Sequence, residues 1–168
     1  MCIRDRDMTT EYQTIISMHF RLGDYKTLPL YHPIIPYEYY KNSLEFILKE
    51  EYLKDSCVCV LYFCEEEDIE LVENNYLKEL RLEFPTCTFK NTAVALGINE
   101  DWKNLLLMSL CSHNIIANSS FSVWGAYFNK NTKKRVCFPS VWFGEKLSSN
   151  DTSDIFPVEW YKISCNHL

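Results

Sequence analysis

The sequence alternates short apolar runs with segments whose apolar residues recur at helical spacing. Residues 12–20 and 57–63 are rich in β-branched, aromatic and other apolar residues, and each run is too short for a buried helix. They predict two strands that are covered on both faces, with 57–63 near the centre of the sheet. Between them, residues 40–48 place apolar side chains three or four positions apart, with lysine and glutamate between, which predicts an amphipathic helix.

The second half of the chain continues this alternation. Apolar residues step at helical spacing from 69 to 80, and the acidic run 65–68 before them suits the positive end of a helix dipole. Residues 101–111 predict a third, largely buried helix with Asn99 or Asp101 as its cap. Three short runs rich in strand formers complete the pattern: residues 86–89, 115–117 and 135–143.

A fourth helix is predicted after residue 120, where Phe121, Trp124 and Phe128 share one face. Strands and helices thus alternate along the whole chain without an internal repeat, which is typical of a mostly parallel sheet with helices on both faces. We therefore predict the α/β fold class. Because ligands of such sheets bind beyond the carboxyl ends of the strands, polar residues at those ends are the first candidates for a site.

Length and composition support one folded domain. The chain has 168 residues, of which 47% are hydrophobic and 15% aromatic. Residues 1–10 are charged and lack an apolar core, so we predict a disordered or artefactual extension there, followed by a single domain at 11–168. The longest wholly apolar stretch, residues 57–64, is far below the roughly 18 residues that span a bilayer, so no membrane span is predicted.

Charge and glycine content exclude several function classes. Seventeen Lys+Arg against 23 Asp+Glu give a net charge of −6, which disfavours nucleic acid as a partner. With only four glycines, neither the dinucleotide fingerprint G-x-G-x-x-G nor the phosphate loop G-x-x-x-x-G-K-[ST] occurs. A nucleotide would therefore have to be bound by another device.

Cysteine and histidine usage gives no metal motif. The eight cysteines include several within apolar runs, where a free thiol packs as a small hydrophobic group, so we expect a reducing compartment. Cys57, Cys59 and Cys64 are interpreted as strand packing. The four histidines lie far apart in the sequence, and we predict no metal site.

Two segments at predicted strand ends carry more polar chemistry than a loop requires. In the first, His19 and Arg21 project to one side of an extended strand end, Gly23 allows a turn, and Asp24 can hold the guanidinium. A fixed arginine at that edge suits a diphosphate. From spacing alone, a buried core histidine beside a structural Arg21–Asp24 ion pair explains the same residues.

The second segment, residues 118–126, places hydroxyl groups and backbone N–H groups at the start of a helix, which is the usual anion site of a protein without a glycine loop. Helix capping plus an aromatic core stripe is the alternative interpretation. Taken together, the two segments predict one phosphate pocket.

At these two segments the chain resembles glycosyltransferase family 11, the inverting α-1,2-fucosyltransferases. The donor-binding half of that family carries H-x-R-R-G-D-Y and N-S-S-F-S-W-W-G-A, which here read HFRLGDY at 19–25 and NSSFSVWGA at 118–126. Between them, residues 101–117 look like the family's D-W-x-x-L-x-L-M-S-x-C-x-H-x-I-I-A segment. The matching pieces occur in the same order as in the family.

The resemblance implies the Rossmann-like donor-binding half of a GT-B-like glycosyltransferase, which transfers L-fucose from GDP-fucose to the 2-hydroxyl of a galactoside and needs no metal or other cofactor. In that role Arg21 stabilises the β-phosphate as the fucosyl bond breaks, and His19 and Asp24 orient the arginine or the donor. The implied donor-binding residues are Glu65, Glu66, Asn118, Ser119, Ser120, Phe121 and Ser122.

Three positions depart from the family pattern. Leu22 replaces a second arginine, Val123 replaces a tryptophan, and Glu65-Glu66 stand where the family has two aspartates, which affects the reading of the guanine edge. Because few residues precede His19, we interpret the chain as a C-terminal fragment or a reduced homologue. The expected location is the cytoplasm, or a membrane or the Golgi if an N-terminal part carries an anchor.

Two other functions fit the same residues. One is a GDP-sugar-binding module without catalysis. The other is an α/β interaction domain in which the motif residues serve as helix caps and ion pairs, and this last interpretation predicts no nucleotide binding.

Overall fold

A computed structural model describes residues 13–50 and 57–166 of the chain. The extension predicted at 1–10 lies outside the described residues. Six strands are present in the described part of the chain: β1 (Thr14–His19), β2 (Val58–Phe63), β3 (Cys87–Asn91), β4 (His113–Ile115), β5 (Val136–Pro139) and β6 (Tyr161–Ile163).

Helices connect these strands. A π-helical turn at Glu73–Leu77 joins α2 to α3, and short 3-10 turns lie at Gly23–Thr27, Glu66–Asp68 and Glu145–Leu147. The α-helices are α1 (Tyr37–Leu48), α2 (Ile69–Val72), α3 (Lys78–Glu83), α4 (Thr92–Leu96), α5 (Asp101–Leu110) and α6 (Ser120–Phe128).

The strands form one parallel sheet in the order β3-β2-β1-β4-β5-β6. The chain builds from β1 outward to β3 and then returns to β4 on the other side of β1, so right-handed crossovers place helices on opposite faces. The predicted Rossmann-like α/β fold is confirmed. β2 is an interior strand, but β1 and β4 form the middle pair, and the reversal of winding between them opens a crevice at their carboxyl ends.

The larger hydrophobic core lies on the face covered by α1, α2 and α3. Ile16 of β1 is in register with Val60 of β2, and both side chains are completely buried. From α1, Tyr40 and Leu44 pack against this surface. Burying each aliphatic side chain of this kind contributes about 1.5–3 kcal/mol, so the helical spacing at 40–48 marks the face that folds onto the sheet.

The opposite face is covered by α5 and α6 and is thinner. The two helices approach closely, since a Cβ on Gly125 would lie 2.8 Å from the Cβ of Met108. Met108 is the buried residue of α5, whereas Trp102 and Leu110 are 64% and 62% exposed. The prediction of a largely buried α5 is therefore wrong. The apolar residues of this helix are distributed over all of its sides, but only one side packs against the sheet.

The aromatic residues of α6 also lie at the surface. Trp124 and Phe128 stack on each other and are about half exposed. The residues that α6 buries are small: Ser122, Gly125 and Ala126. Close packing against α5 excludes large side chains from that side, so the aromatic side chains at 124 and 128 do not form a core stripe.

Several local features differ from the sequence prediction. Neither Asn99 nor Asp101 caps α5, because the chain enters the helix at Glu100. The sequence pattern does not predict α4 or β6. α4 is a short helix stabilised by Asn91, whose side chain accepts a hydrogen bond from the N–H of Val94 at 3.1 Å.

A polar network crosses the thinner face beneath α5 and α6. The completely buried Asn114 donates through Nδ2 to Ser17 Oγ at 2.7 Å and to the Met108 carbonyl at 2.8 Å. Its Oδ1 accepts from Asn129 Nδ2 at 2.8 Å, and that nitrogen also donates to the carbonyl of Cys111 at 2.8 Å. The network therefore joins β1 and β4 to the ends of α5 and α6.

Seven cysteines lie in the described part of the chain, and all are free thiols. Cys59 is buried as expected, but Cys57 is exposed, so the packing role predicted for Cys57 is wrong. Burial raises the pKa of Cys64 to about 12, which keeps that thiol protonated. Among the helices described, none is long and apolar enough to cross a membrane.

Candidate functional site

A cleft of about 350 Å³ opens at the carboxyl edge of the sheet, where the crevice between β1 and β4 lies. His19 and Arg21, which end and follow β1, share this cleft with Ser119 and Phe121 from the start of α6. The two sequence motifs, about a hundred residues apart in the chain, are thus brought to one cavity. The remaining lining residues are Phe63, Cys64, Glu65, Glu66, Thr92, Ala93, Ile98, Asn99, Asp101 and Asn104.

A second cleft, of about 490 Å³, lies beside β5 and the C-terminal segment. It is larger, but its lining contains none of the residues of the two motifs. It also lacks arginine, histidine and carboxylate side chains. We therefore assign the function to the smaller cleft, on its chemistry and its position at the switch point of the sheet.

Arg21 is held in place by two carboxylates. Its Nη2 contacts Asp24 Oδ1 at 2.6 Å, and its Nη1 pairs with Glu65 Oε1 across the cleft. The guanidinium also lies 5.2 Å from the centroid of the Tyr25 ring. A planar fork fixed on three sides is pre-organised for an anion with several oxygens, such as a diphosphate.

The turn after Arg21 depends on Gly23. This residue has φ +34°, a left-handed conformation, and a Cβ there would lie 2.6 Å from Glu65 Oε1. Its N–H donates to Asp68 Oδ2 at 2.8 Å, and Asp68 Oδ1 contacts Lys26 Nζ at 2.5 Å. The glycine therefore lets the loop approach the carboxylate that holds the arginine.

His19 is a buried, neutral imidazole. Burial, and secondarily the charge of Arg21, lower its pKa to about 3. Its ring lies 5.6 Å from that of Phe121, and no hydrogen-bond partner is found for Nδ1 among the described residues. A neutral histidine in this position can exchange a hydrogen bond with a ligand without adding charge to the cleft.

The start of α6 provides backbone N–H groups. Ser119 is the N-cap residue, and its side chain makes no capping hydrogen bond. The Ser119 N–H is already bonded to the Ala117 carbonyl at 2.8 Å, and the first helical bond runs from the N–H of Val123 to the Ser119 carbonyl. The N–H groups of Ser120, Phe121 and Ser122 remain as the first-turn donors that attract an anion.

Four of the sequence-predicted site residues lie outside the lining of the cleft. Asp24 acts on Arg21 from the solvent side. Asn118 is buried and donates through Nδ2 to the carbonyls of Pro33 and Trp142 at 2.9 and 3.2 Å. Ser120 and Ser122 do not reach the lining with their side chains, and the Ser122 hydroxyl donates within the helix to the Ser119 carbonyl. Asn118 thus positions the loops around the site.

Those loops are clamped together at Gly144. A Cβ on Gly144 would lie 2.4 Å from the carbonyl oxygen of Leu30, and the Gly144 N–H donates to the carbonyl of Tyr31 at 2.8 Å. The clamp fixes the carbonyl groups to which Asn118 binds. The Gly144 φ of −78° is ordinary, so space alone requires glycine here.

We expect Gly144→Ala to cost about 2–3 kcal/mol of folding free energy, because a backbone segment has to move to admit the methyl group. For a chain of this size that lowers Tm by about 5–10 °C. Gly97→Ala is the matched control: Gly97 has φ +63° but nothing within 4 Å of the new Cβ, so only about 1 kcal/mol of backbone strain is expected. Thermal unfolding of both variants measures the difference, and equal Tm losses would contradict the clamp.

The connection from β3 to α5 supplies lining residues that the sequence motifs did not identify. Thr92, Asn99 and Asn104 all border the cleft, and Asn104 Oδ1 is buried with no protein partner among the described residues. Thr92 directly follows β3, and parallel strands end at the same edge of a sheet. The sequence could therefore have indicated Thr92 as a candidate site residue. No comparable sequence signal indicates that the start of α5 lies at the cleft.

Leu22, which stands where the family has a second arginine, is a core residue. Leu22 is 2% exposed and belongs to the larger hydrophobic core. Its side chain therefore packs away from the cleft. Leucine at this position fills the core, and the positive charge of the cleft is carried by Arg21.

An acidic cluster lies beside the cleft. The carboxylates of Glu65, Glu67 and Asp68 come within 4.8 Å of one another. Asp68 is already bonded to Gly23 and Lys26, and Glu65 is paired with Arg21. These contacts use the carboxylates inside the protein, and we assign no metal to them.

Comparison with known proteins is consistent with this site. The chain matches the family Glycosyl transferase family 11 over residues 3–164. It is 31% identical over 141 residues to the O-antigen biosynthesis glycosyltransferase WbnK of Escherichia coli, covering 82% of this chain and 42% of that protein. It is 30% identical over 153 residues to an alpha-1,2-colitosyltransferase of Escherichia coli, covering 88% and 47%.

The chain spans less than half the length of these two curated relatives. No solved structure matches it. The family match extends over nearly the whole chain, and the two motifs that carry the resemblance meet in one cleft of a parallel α/β sheet. The chain therefore belongs to glycosyltransferase family 11.

Proposed function

We propose that this chain binds GDP-fucose and forms the donor-binding part of an inverting α-1,2-fucosyltransferase, which transfers fucose to the 2-hydroxyl of a galactoside. One observation carries this function. Arg21, fixed by two carboxylates, shares a cleft at the switch point of the sheet with the free N-terminus of α6. An arginine fork and helix N–H groups converging on one cavity are suited to a diphosphate.

The chemistry of transfer needs such a cavity. As the bond between the sugar and the β-phosphate breaks, negative charge accumulates on the leaving GDP. Donors that are already in place stabilise that charge without reorganising, and removing one such donor commonly slows a reaction about 10²–10³-fold. In this function Arg21 binds the β-phosphate, and the N–H groups of Ser120 and Phe121 bind the adjacent phosphate oxygens. Arg21 is paired with Asp24 and Glu65, and we propose that its remaining N–H groups stabilise the leaving diphosphate in the place that a metal ion would otherwise take.

Carboxylates in the cleft suit a guanine base. Guanine presents an N1–H and a 2-amino group, and both are donors that a carboxylate accepts. Glu66 lines the cleft next to Glu65, which is engaged by Arg21. We assign the guanine edge to Glu66, and the unpaired Oδ1 of Asn104 to a further donor group of the nucleotide.

His19 binds the donor and does not remove the proton of the acceptor. A group whose pKa is lowered to about 3 is too weak a base to take a proton from a sugar hydroxyl near neutral pH. We assign its buried Nδ1, which has no partner among the described residues, to a hydrogen bond with the phosphate or the sugar. One relative is named for colitose, so the groups around the sugar select among related donors.

Calorimetric titration of the purified chain with GDP-fucose, GDP, GDP-mannose and UDP, without added metal, tests the donor assignment. We expect GDP and GDP-fucose to bind, and UDP to bind at least tenfold more weakly, because uracil lacks the paired donors that Glu66 reads. Equal affinity for GDP and UDP would contradict the guanine assignment. Absence of binding to every nucleotide would contradict the donor site and favour an α/β interaction domain.

A second candidate is a GDP-sugar-binding module without catalysis, which is favoured because His19, the histidine of the cleft, is too weak a base to take a proton near neutral pH. Incubation with GDP-fucose and a β-galactoside distinguishes the two. Release of GDP that depends on the galactoside supports the transferase, whereas binding without transfer supports the module.

A further inference from the structure

An apolar surface covers the outward side of α5. Trp102, Leu106 and Leu110 recur at intervals of four residues, so they lie in one row along the helix. All three are exposed, Trp102 and Leu110 by more than half. The row faces away from Met108, the residue that α5 packs against α6. It therefore forms part of the protein surface.

α6 carries a separate exposed cluster, on the other side of its contact with α5. Trp124 contacts Tyr127 and Phe128, each with ring centroids 5.6 Å apart, and all three rings are about half exposed. The ends of the two helices are joined, because Asn129 Nδ2 donates to the carbonyl of Cys111 at 2.8 Å. Three large aromatic side chains thus lie together on the outside of α6, whereas single exposed apolar residues are the norm for a soluble surface.

Lysines cluster with this apolar surface. Residues 101–134 contain four lysines and one aspartate, a net charge of +3, whereas the remainder of the chain carries 13 Lys+Arg and 22 Asp+Glu, a net charge of −9. Lys130 and Lys133 are exposed just after α6. Lys103 lies 5.6 Å from the ring of Trp102. This segment of the chain is therefore positive within an acidic protein.

The charged groups around these lysines leave the region positive. Lys103 pairs with Glu100. Lys134 donates to the carbonyls of Ala126 and Asn129 at the end of α6, and its pKa is lowered by burial, while the charge of Glu159 acts in the opposite direction. No carboxylate partner is found for Lys130 or Lys133 within the described part of the chain. We call Trp124, Tyr127 and Phe128 of α6, together with Lys130 and Lys133, the aromatic–lysine face.

We infer that the aromatic–lysine face binds the surface of a lipid bilayer that contains anionic phospholipids. Tryptophan and tyrosine favour the boundary between headgroups and acyl chains, and exposed lysines bind anionic headgroups. A second copy of the chain fits less well, because a two-fold contact through this face brings the two lysine clusters together. A soluble polyanion would use the lysines but leave the apolar residues in water.

The face and the cleft lie at different ends of α6. Phe121, at the start of α6, lines the cleft. Phe128 ends the helix about 10 Å further along its axis, at the rise of 1.5 Å per residue. A protein bound to lipid through Phe128 and the following lysines therefore keeps the cleft open. This inference does not depend on the identity of the donor.

Flotation of the whole chain with vesicles tests it. We compare vesicles of phosphatidylcholine alone with vesicles that contain roughly 30% phosphatidylglycerol, at low and high salt. At about 1 kcal/mol per lysine, Lys130→Glu with Lys133→Glu is expected to lower partitioning into the anionic vesicles about 30-fold or more. Trp124→Ser with Phe128→Ser is expected to lower it at both salt concentrations, because apolar insertion is not screened.

The matched control is Lys78→Glu with Leu82→Ser, an exposed lysine and leucine one turn apart on α3, which covers the other face of the sheet. It makes the same kinds of substitution, lysine to glutamate and apolar residue to serine, and is expected to bind vesicles like the parent chain. All variants alter exposed side chains, and an unchanged Tm shows that they are folded. Failure of the parent chain to float, or a similar loss in the α3 control, overturns the inference. A dimer that Trp124→Ser with Phe128→Ser dissociates in light scattering also overturns it, since a second copy then covers the face.

Discussion

Arg21→Ala should abolish fucosyl transfer and lower GDP affinity at least 100-fold while leaving the fold intact. In the proposed function the side chain supplies a charge-assisted fork for the β-phosphate, and a donor of that kind is worth about 3–4 kcal/mol when charge develops on the leaving group. Its removal also leaves Asp24 and Glu65 without their cation, so two carboxylates then repel the diphosphate. Calorimetry with GDP and a transfer assay measure the two losses.

The stability of Arg21→Ala should be close to that of the parent chain. The ion pairs that Arg21 makes are partly exposed, and pairs of that kind contribute about 0–1 kcal/mol. Arg81→Ala is the matched control, because Arg81 also binds a carboxylate with both Nη atoms, in this case Glu73, far from the cleft lining. It should lose as little stability and keep full GDP affinity. GDP affinity that survives in Arg21→Ala would refute the assignment of the phosphate to this residue.

Arg21→Lys separates charge from geometry. Lysine keeps the positive charge but loses the planar fork that meets two oxygens at once. We expect intermediate GDP affinity and a transfer rate much nearer to that of the alanine variant. Parent-like rates in the lysine variant would mean that charge alone is required.

Asn114→Ala should destabilise the fold at least as much as Gly144→Ala. Asn114 forms hydrogen bonds with Ser17, the Met108 carbonyl and Asn129 at the same time, in a fully buried site. Its removal takes one hydrogen bond from each of these groups and opens a small cavity. We expect a loss of about 3 kcal/mol, and a Tm lower by about 6–12 °C. Urea unfolding at constant m-value measures it.

Asn74→Ala is the control for this substitution. Asn74 is exposed in the π-helical turn between α2 and α3, and replacing it should change stability by no more than about 0.5 kcal/mol. A loss in Asn114→Ala as small as that of Asn74→Ala would show that the buried network adds little to the fold. The network contacts the ends of α5 and α6, whereas the cleft lies at their beginnings. Nucleotide affinity, measured at a temperature where the variant is folded, should therefore change little.

Most of the sheet could be predicted, because the buried strands appear in the sequence as continuous apolar runs. Residues 57–63 anticipate β2, and the helical spacing at 40–48 anticipates α1, since both bury the apolar positions that the pattern displays. The same reasoning failed for α5. Its apolar residues indicate a buried helix, yet Trp102 and Leu110 face solvent because the sheet meets only one side of the helix.

The candidate site was predictable to a lesser degree. The motifs located Arg21 and Ser119, and the parallel-sheet rule placed both at one edge. They did not separate the residues that line the cleft from those that support it. Asn118 lies within the second motif but binds the carbonyls of Pro33 and Trp142, whereas Asn104, outside both motifs, borders the cleft.

By itself, the sequence determined the fold class and the family and identified Arg21 as a candidate site residue, because apolar periodicity and short motifs are local properties of a chain. Only the tertiary structure decided which side of each helix or strand packs against another element. The packing of strands and helices turns Leu22 into the core, Glu65 onto Arg21, and Trp124 out to solvent. These outcomes depend on contacts between residues far apart in the chain, which no local pattern contains.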